Sequence, residues 1–429
     1  MIDIKNADNK NRVVTFGCRL NTYESEVIKK LSAEAGLEGA IIINSCAVTA
    51  EAERQVRQSI RKLRRENPNA EIIVTGCSAQ IDPDKYANMP EINSVIGNAE
   101  KLQLSTYASI KDQSMTLVND IMSVRETAGH LVSGFEGKAR AFVQVQNGCD
   151  HRCTFCTIPF GRGNSRSVPL GEVVAQIRQV IESGYQEIVL TGVDITAYGA
   201  DLPGAPPLGQ AIKRILALVP DLKRLRLSSL DPVEIDDDLW KLIESEPRLL
   251  SHLHISLQAG DNMILKRMKR RHLREDAIAF CKRARDVRPD IVFGVDLIAG
   301  FPTETPEMFD NTLRIIDDCD LTFLHVFPYS PRPGTPASRM PQVAGPIIKE
   351  RAAILRHAGE KAVQRLFDRL LGETVAVLVE SVKDGIADGK TDHFASIRFP
   401  VDLHEIEIGS VHTVKVLGKS GHHLEGAFC

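Results

Sequence analysis

The sequence predicts an α/β protein in three parts: an N-terminal doubly wound α/β domain (residues 1–120), a central open (βα)6 partial barrel with a trailing helix (135–371), and a small C-terminal β-barrel (372–429). Three patterns predict it. Strand and helix periods alternate through the first hundred residues, a more regular alternation of six βα units follows from about residue 140, and the last sixty residues hold short β-rich runs between turns. The chain has 429 residues, 43% hydrophobic and 25% charged, which is enough to bury several cores. Its net charge of -3 gives no global sign of a nucleic-acid binder, so only local basic patches can serve RNA. The first ten residues lack the apolar run of a leader, and no stretch supplies about 18 uninterrupted apolar residues. A cytoplasmic protein is expected.

In the first part, the apolar runs Val13 to Phe16, Ala40 to Ile43 and Glu71 to Val74 read as strands, the first two followed by amphipathic helical patterns. The first helix is expected over about Thr22 to Ala35 with Gly36 as its C-cap, and the second is expected to begin at Thr49 as N-cap. Each strand ends at a cysteine: Phe16-Gly17-Cys18, Asn44-Ser45-Cys46 and Thr75-Gly76-Cys77. Ligands collect at the carboxyl ends of strands in an open parallel sheet, so these thiols can converge on one point. The alternative is three buried cysteines acting as small hydrophobes.

After a polar connector with one short strand, Met115 to Val118, six strands are expected at Ala141 to Gln146, Glu187 to Thr191, Arg224 to Ser228, Leu253 to Gln258, Val292 to Ala299 and Phe323 to Phe327. The helix between the first two shows the pattern well: Leu170, Val173, Val174, Ile177, Val180 and Ile181 form one stripe, closed by Gly184. Consecutive βα units imply a parallel sheet with right-handed crossovers, curved into a partial barrel with functional groups at the C-terminal strand ends. A proline-rich break over Pro331 to Pro346 precedes a helix of roughly 25 residues. Thr374 to Val379, Phe394 to Phe399 and Val411 to Leu417 then suit a small β-barrel.

Nine cysteines in a reducing compartment point to metal or redox chemistry rather than to disulfides. Cys149, Cys153 and Cys156 form a Cys-x3-Cys-x2-Cys run directly after the first barrel strand. Three thiolates on a short loop can hold three irons of a 4Fe-4S cluster and leave the fourth open. Zinc competes for such thiols, but structural zinc favours closed sites built from Cys-x2-Cys pairs, and His151 lies awkwardly inside the loop. Cys281 and Cys319 fall in helical patterns and read as core, while Cys429 is terminal.

This loop, with an aromatic before its last cysteine, resembles the radical-SAM superfamily. Thr15-Phe-Gly-Cys-Arg-Leu-Asn21, Asn44-Ser-Cys-Ala-Val-Thr49, Thr75-Gly-Cys77, Gln146-Asn-Gly-Cys-Asp150 and Pro159-Phe-Gly-Arg-Gly-Asn-Ser-Arg166 resemble the methylthiotransferase family, from about residue 12 to the C-terminus. The resemblance implies two 4Fe-4S clusters and S-adenosylmethionine (SAM) as cofactors. Cys149, Cys153 and Cys156 are implied to hold the cluster that cleaves SAM, and Cys18, Cys46 and Cys77 the second cluster, which carries the sulfur. Phe155 is implied to flank the SAM adenine, Thr191 and Gly192 to meet its amino group, Ser256 and Gln258 its ribose, and Ala299-Gly300-Phe301-Pro302 its adenine. The bland alternatives are a strand-to-loop turn for Thr191-Gly192 and interior polar packing for Ser256 and Gln258.

The resemblance further implies a tRNA partner, in the anticodon loop, and an electron-donor protein such as flavodoxin or ferredoxin. Gly17 to Glu26 and Thr191 to Gly199 resemble most closely the branch that converts N6-threonylcarbamoyladenosine, at position 37 beside the anticodon, to its 2-methylthio derivative. The same reaction on N6-isopentenyladenosine is the alternative, a branch modifying a ribosomal-protein aspartate is a third, and a non-catalytic iron-sulfur RNA-binding regulator is a fourth reading of different class. The threonylcarbamoyl carboxylate needs a cationic partner, and Arg162 or Arg166 in the glycine-flanked loop after Cys156 is expected to grip it, with SAM's carboxylate or a tRNA phosphate as the competing ligand. For RNA, two basic patches are candidates: Lys266 to His272, and the helical face of Arg54, Arg57, Arg61, Arg64 and Arg65. The terminal β-domain resembles the RNA-associated TRAM module, so its removal at about Gly372 is expected to weaken tRNA binding while sparing SAM cleavage.

Overall fold

The computed structural model of the chain describes residues 11–127, 129–401 and 406–429. The segment 1–10, on which the expected absence of a leader rests, lies outside them. The chain forms two compact units: one holds the described residues up to Val132 with Asn147–His151 and Cys156–Arg166, the other Ser133–Gln146, Arg152–Phe155 and Ser167–Cys429. Among the described residues no helix is long and apolar enough to cross a membrane.

The first unit is built on a parallel sheet of β1 (Arg12–Thr15), β2 (Ile41–Ser45), β3 (Ile72–Gly76), β4 (Ser94–Ile96) and β5 (Thr116–Leu117), paired in that order. Between them run α1 (Arg19–Glu34), α2 (Ala50–Glu66), the short turns α3 (Cys77–Ile81) and α4 (Pro83–Ala87), and α5 (Leu104–Asp112). Side chains alternate across the strands, so Ile42, Ile73 and Ile96 pack with Ile28 of α1 and Tyr107 and Ile110 of α5 on one face. Ile41, Ile43, Ile72 and Val74 pack with Val56, Ile60 and Leu63 of α2 on the other. Burial on both faces explains why these strands read as unbroken apolar runs. The Thr49 side chain caps α2 by accepting from the Ala52 N–H at 3.1 Å. The first helix starts earlier than its apolar stripe suggests, because Cys18 itself occupies the N-cap position.

The chain continues through β6 (Ala141–Gln144), the two-residue strands β7 (Gln146–Asn147) and β8 (Arg166–Ser167) flanking α6 (Ile158–Arg162), then α7 (Leu170–Glu182), β9 (Glu187–Thr191), α8 (Leu208–Leu218), β10 (Arg224–Leu227), α9 (Asp237–Ser245), β11 (His252–Gln258), α10 (Asn262–Met268), α11 (Arg274–Val287), β12 (Val292–Ala299), α12 (Pro306–Asp318) and β13 (Phe323–Pro328). In the second unit β6, β9 and β10 form one parallel sheet and β11, β12 and β13 another. Bridges Leu225↔Leu249 and Leu230↔Ile255 join them into six parallel strands. α13 (Gly345–Leu370) leads into a closed barrel of β14 (Thr374–Lys383), β15 (Ile386–Thr391), β16 (Ser396–Pro400), β17 (Val411–Ser420) and β18 (His423–Phe428). The sequence pattern misses β15 and β18, because each contributes little apolar surface: Ala387 from β15 and Leu424 from β18 enter the core.

Packing is continuous across the boundary expected at residue 372. The small barrel's core residues Val377, Ile397, Phe399 and Val416 pack in one cluster with Leu366 and Phe367 of α13 and with Val292 of β12. The β15–β16 turn carries Phe394 against the central strands, its ring stacked on His252 at 5.1 Å and lying under the guanidinium groups of Arg226 and Arg140 at 5.0 and 5.4 Å. Those arginines and Arg224 surround Glu187, at 2.8, 2.7 and 3.0 Å. The small barrel supplies the remaining anions, Glu380 to Arg140 at 2.6 Å and Asp392 to Arg224.

Candidate functional site

In the first unit the three strand-end cysteines come together. Cys18 opens α1, Cys46 follows β2 and Cys77 opens α3. Two glycines make the approach possible. Gly17 adopts φ +101°, and a Cβ placed there would fall 2.9 Å from the Cys46 Sγ. Gly76 adopts φ +95°, and a Cβ there would fall 2.4 Å from the Ser45 backbone. An L side chain at either position would push the strand ends apart. The Cys46 thiol is raised to about 12, chiefly by burial and next by the nearby Cys77 and Cys18 sulfurs, with the Val48 N–H and Arg162 opposing. Three thiols brought to neighbouring strand ends are a soft donor set suited to thiophilic metal, because a metal removes both the Cys46 proton and the repulsion that opposes its ionisation. Cys46 and Cys77 are buried while Cys18 is exposed, so the set is open on one side.

Arg162 and Arg166, expected to grip a substrate carboxylate, are turned inward here and bonded within the protein. The Arg162 side chain is fully buried, its Nη1 donating to Glu24 Oε1 at 2.8 Å and Asn147 Oδ1 at 3.0 Å, its Nη2 to Asn21 Oδ1 at 2.5 Å and Glu24 Oε2 at 3.0 Å. Arg166 is also buried, donating to Thr127 Oγ1, the Asn164 carbonyl and the Arg162 carbonyl at 3.1, 2.8 and 2.9 Å. The cue available in the sequence was Glu24, a lone acid on the inward face of α1 that needs a buried cation. Lys101 is the second one, donating to Glu24 Oε2 at 2.7 Å and Asn44 Oδ1 at 3.3 Å. Burial alone would raise the Glu24 carboxyl, but the charges of Arg162 and Lys101 overcome it and hold it at about 2.

The Cys149 to Cys156 loop contributes to both units. In the first, the Cys149 N–H donates to the Gly163 carbonyl at 3.1 Å, Asp150 accepts from the Ser165 N–H at 3.0 Å, and the Cys156 sulfur accepts from the Ile158 N–H at 3.4 Å. In the second, Thr154 is pinned at three points: its N–H to the Met268 carbonyl at 3.1 Å, its hydroxyl to the Arg267 carbonyl at 2.7 Å, and its carbonyl to the Ala337 N–H at 2.9 Å. Phe155 packs edge-on to Phe301, at 6.3 Å between ring centroids. Arg270 reaches the Cys153 Sγ at 3.8 Å while bonding Asp231 at 3.0 Å and the Ser256 carbonyl at 2.7 Å.

Thr191 is buried at the end of β9, and Gly192 lies against Gln146, whose side-chain oxygen accepts from the Val193 and Asp194 N–H groups at 3.0 and 2.9 Å. Ser256 and Gln258 are partly exposed on one face of β11, with buried Leu257 between them on the other. Gln258 has φ +73° beside a register shift in the β11–β12 pairing, a strained conformation for a non-glycine residue. Gly300 takes φ +72° and Phe301 is buried against Phe155 and Tyr329, so of the expected adenine-facing turn Phe301 serves as a wall behind Phe155.

The two expected RNA patches are divided: Arg54, Arg61, Arg65, Lys266, Lys269 and Arg271 stay exposed, while their neighbours are engaged within the protein. Arg267 donates to the Thr303 carbonyl, Arg271 pairs with Glu234, and His272 is buried, its imidazole lowered by burial and by Arg270. On α2, Arg54 and Arg57 pair with Glu51 and Glu53, and Arg64 caps the Glu91, Pro68 and Ala70 carbonyls. The sequence reading also missed a cluster within the six strands: His254 lies 3.1 Å and His325 3.4 Å from Asp296 Oδ1. Its members come from three separate strands, so no local spacing announces them.

A three-cysteine loop following the first of six parallel strands points to a radical-SAM protein. Residues 143–316 match the model of the Radical SAM superfamily, and residues 10–97 match the Uncharacterized protein family UPF0004. The chain is 55% identical over 410 residues to the threonylcarbamoyladenosine tRNA methylthiotransferase MtaB of Rickettsia prowazekii, covering 95% of each chain. It is 31% identical to a tRNA-2-methylthio-N(6)-dimethylallyladenosine synthase of Novosphingobium aromaticivorans, covering 97% of this chain and 96% of that one. The fold is similar to that of the radical S-adenosylmethionine methyltransferase TsrM of Kitasatospora setae, with a TM-score of 0.53 at 16% identity over 72% of this chain and 66% of that one. The chain belongs to the radical-SAM methylthiotransferase family. It is an enzyme of the transferase class that uses SAM and two 4Fe-4S clusters, the second in the N-terminal region.

Proposed function

We propose that this enzyme converts N6-threonylcarbamoyladenosine, at position 37 beside the tRNA anticodon, to its 2-methylthio derivative. The observation that carries the reading is the 55% identity with a threonylcarbamoyladenosine tRNA methylthiotransferase along almost the whole of both chains, against 31% for a relative named for the dimethylallyl substrate. Cys149, Cys153 and Cys156 hold the cluster that cleaves SAM, and Cys18, Cys46 and Cys77 hold the second. When bound, these clusters supply the electron that splits SAM and the sulfur that is transferred.

The protein's own part is positioning, charge and exclusion of water. Thr154, tied at three points, fixes the centre of the cysteine loop. Phe155, backed by Phe301, gives the SAM adenine an apolar wall. Thr191 and Gly192 meet the SAM amino group, while Ser256 and Gln258 present hydrogen-bonding groups to its ribose. Arg270 sets a fixed cation beside the Cys153 thiolate. Its replacement by leucine strips Asp231 of its closest charge partner and is expected to reduce 5'-deoxyadenosine formation about tenfold or more. Chromatographic assay of SAM cleavage under reducing, anaerobic conditions checks this. The enzyme works in the cytoplasm and draws electrons from a donor such as flavodoxin or ferredoxin.

The substrate test is direct. The reconstituted enzyme, SAM and dithionite are incubated anaerobically with tRNA carrying either modified adenosine, and the nucleosides are read by mass spectrometry. The methylthio product is expected from the threonylcarbamoyl tRNA. Product from the isopentenyl tRNA alone would replace the assignment by that branch, and no product from either, despite SAM cleavage, would remove both.

A further inference from the structure

Near Cys18, Cys46 and Cys77 two buried basic side chains are bonded to one carboxylate. Arg162 and Lys101 are 2% and 0% exposed, yet both bond a single carboxylate, Glu24. The other acceptors of this set, Asn21, Asn147 and Asn44, are neutral amides. Glu100, next to Lys101, is also buried, but its carboxylate bonds Asn119 and neither cation, so within the bonded set two basic groups share one carboxylate, an expensive arrangement where both are buried. Burial, the largest influence on both, pulls Lys101 below the usual lysine range although Glu24 and Cys77 oppose it, whereas Cys77, Glu24 and Cys18 together hold Arg162 above the usual guanidinium range.

The same residues tie that charge to the cysteine loops. Asn21 accepts from Arg162, and its amide donates to the carbonyls of Phe16 at 2.6 Å and Ser45 at 3.1 Å, just ahead of Cys18 and Cys46. Gly161, next to Arg162, sits on Cys77, where an added Cβ would lie 3.2 Å from the Cys77 Cβ. These contacts lead from the Arg162 guanidinium to the three cysteines, so an anion formed there would face it. A 4Fe-4S core of charge two plus, bound by three thiolates, carries one net negative charge, and one-electron reduction adds another.

We propose that Arg162 is a positioning residue which, with Lys101, supplies the buried counter-charge for the cluster at Cys18, Cys46 and Cys77 and raises its reduction potential. This rests on the reading that those three cysteines are ligands. A fixed cation in a low-dielectric site favours the more negative, reduced form, and Glu24 limits the effect by neutralising one of the two cations.

The test uses the full chain with Cys149, Cys153 and Cys156 replaced by alanine, reconstituted anaerobically with iron and sulfide so that one cluster remains, and titrated with dithionite while electron paramagnetic resonance follows reduction. Arg162→Gln removes a cation and is expected to move the midpoint to more negative potential. Glu24→Gln removes the anion and is expected to move it the other way, and Arg162→Lys, which keeps the charge, should stay near the parent. Opposite signs from two substitutions at one buried contact are not what damage to packing produces, since damage alone would weaken cluster retention in both. Shifts of the same sign, or none, in variants that hold the cluster overturn the proposal. If circular dichroism shows that Arg162→Gln fails to fold, Lys101→Met carries the same expected negative shift and decides the matter. A parent that takes up no iron would instead overturn the ligand assignment, and the proposal with it.

Discussion

Replacing Cys149, Cys153 and Cys156 together by alanine is expected to abolish SAM cleavage and to halve the iron, from about eight to about four atoms per chain. Replacing Cys18, Cys46 and Cys77 together should halve the iron equally, yet leave 5'-deoxyadenosine formation in place while methylthiolation is lost. The asymmetry follows from where the sulfurs lie. Cys46 and Cys77 follow the ends of β2 and β3 and are shaped by Gly17 and Gly76, whereas the loop around Cys153 is fixed by Thr154 and Arg270 through separate elements, α10 and the turn at Ala337. Removing Cys18, Cys46 and Cys77 leaves the hydrogen bonds around Cys153 intact. Iron assay, chromatography of 5'-deoxyadenosine and mass spectrometry of tRNA nucleosides measure the three quantities. About four irons in the reconstituted wild type would contradict the two-cluster assignment, and loss of 5'-deoxyadenosine in both variants would contradict the separation of duties.

What the sequence made legible was whatever chemistry writes locally. Buried parallel strands leave apolar runs, so β2, β3, β9 and β12 could be placed to within a residue or two. The cysteines sit at strand ends or at fixed spacing, and both patterns survive without knowledge of the tertiary fold. Charge was read far less well, because the partner of a buried arginine lies elsewhere in the chain. Arg162 stands in a glycine-flanked loop that looks open to ligand, and only the inward-facing acid on α1 shows otherwise. Within the basic runs, Arg64 and Arg270 likewise read as surface until the Glu91, Ala70 and Ser256 carbonyls and Asp231 are placed beside them. His254, Asp296 and His325 share no local spacing at all. The C-terminal strands β15 and β18 were hidden for a related reason: a small closed barrel needs few core side chains from each strand once α13 and β12 help to fill it.

The same long-range pairing changes what removal of the C-terminal barrel should do. Read as an appended RNA-binding piece, it could be cut at about Gly372 with SAM cleavage spared; the structure predicts instead that the shortened chain will not fold stably. The cut would leave Arg140, Arg224 and Arg226 around Glu187 alone, without Glu380, Asp392 and the Phe394 ring, and would expose Val292, Leu366 and Phe367. A sharper version keeps the full chain and changes Glu187 to glutamine. Glu187 is completely buried, and although burial alone would raise its carboxyl, the charges of Arg226, Arg140 and Arg224 hold it at about 2. Breaking one member out of such a set leaves uncompensated buried charge and costs about 3 to 5 kcal/mol. A carboxyl held below its unfolded value contributes stability that is present above the unfolded pKa, near 4.5, and is lost as pH falls from there towards 2. The wild-type urea midpoint should therefore drop steeply across that window, whereas the glutamine variant should start lower at neutral pH and lose less on acidification. Equal acid sensitivity in the two proteins would show that Glu187 does not carry this effect. A chain ending at residue 371 that stayed folded and still cleaved SAM would show that the six central strands do not need the small barrel.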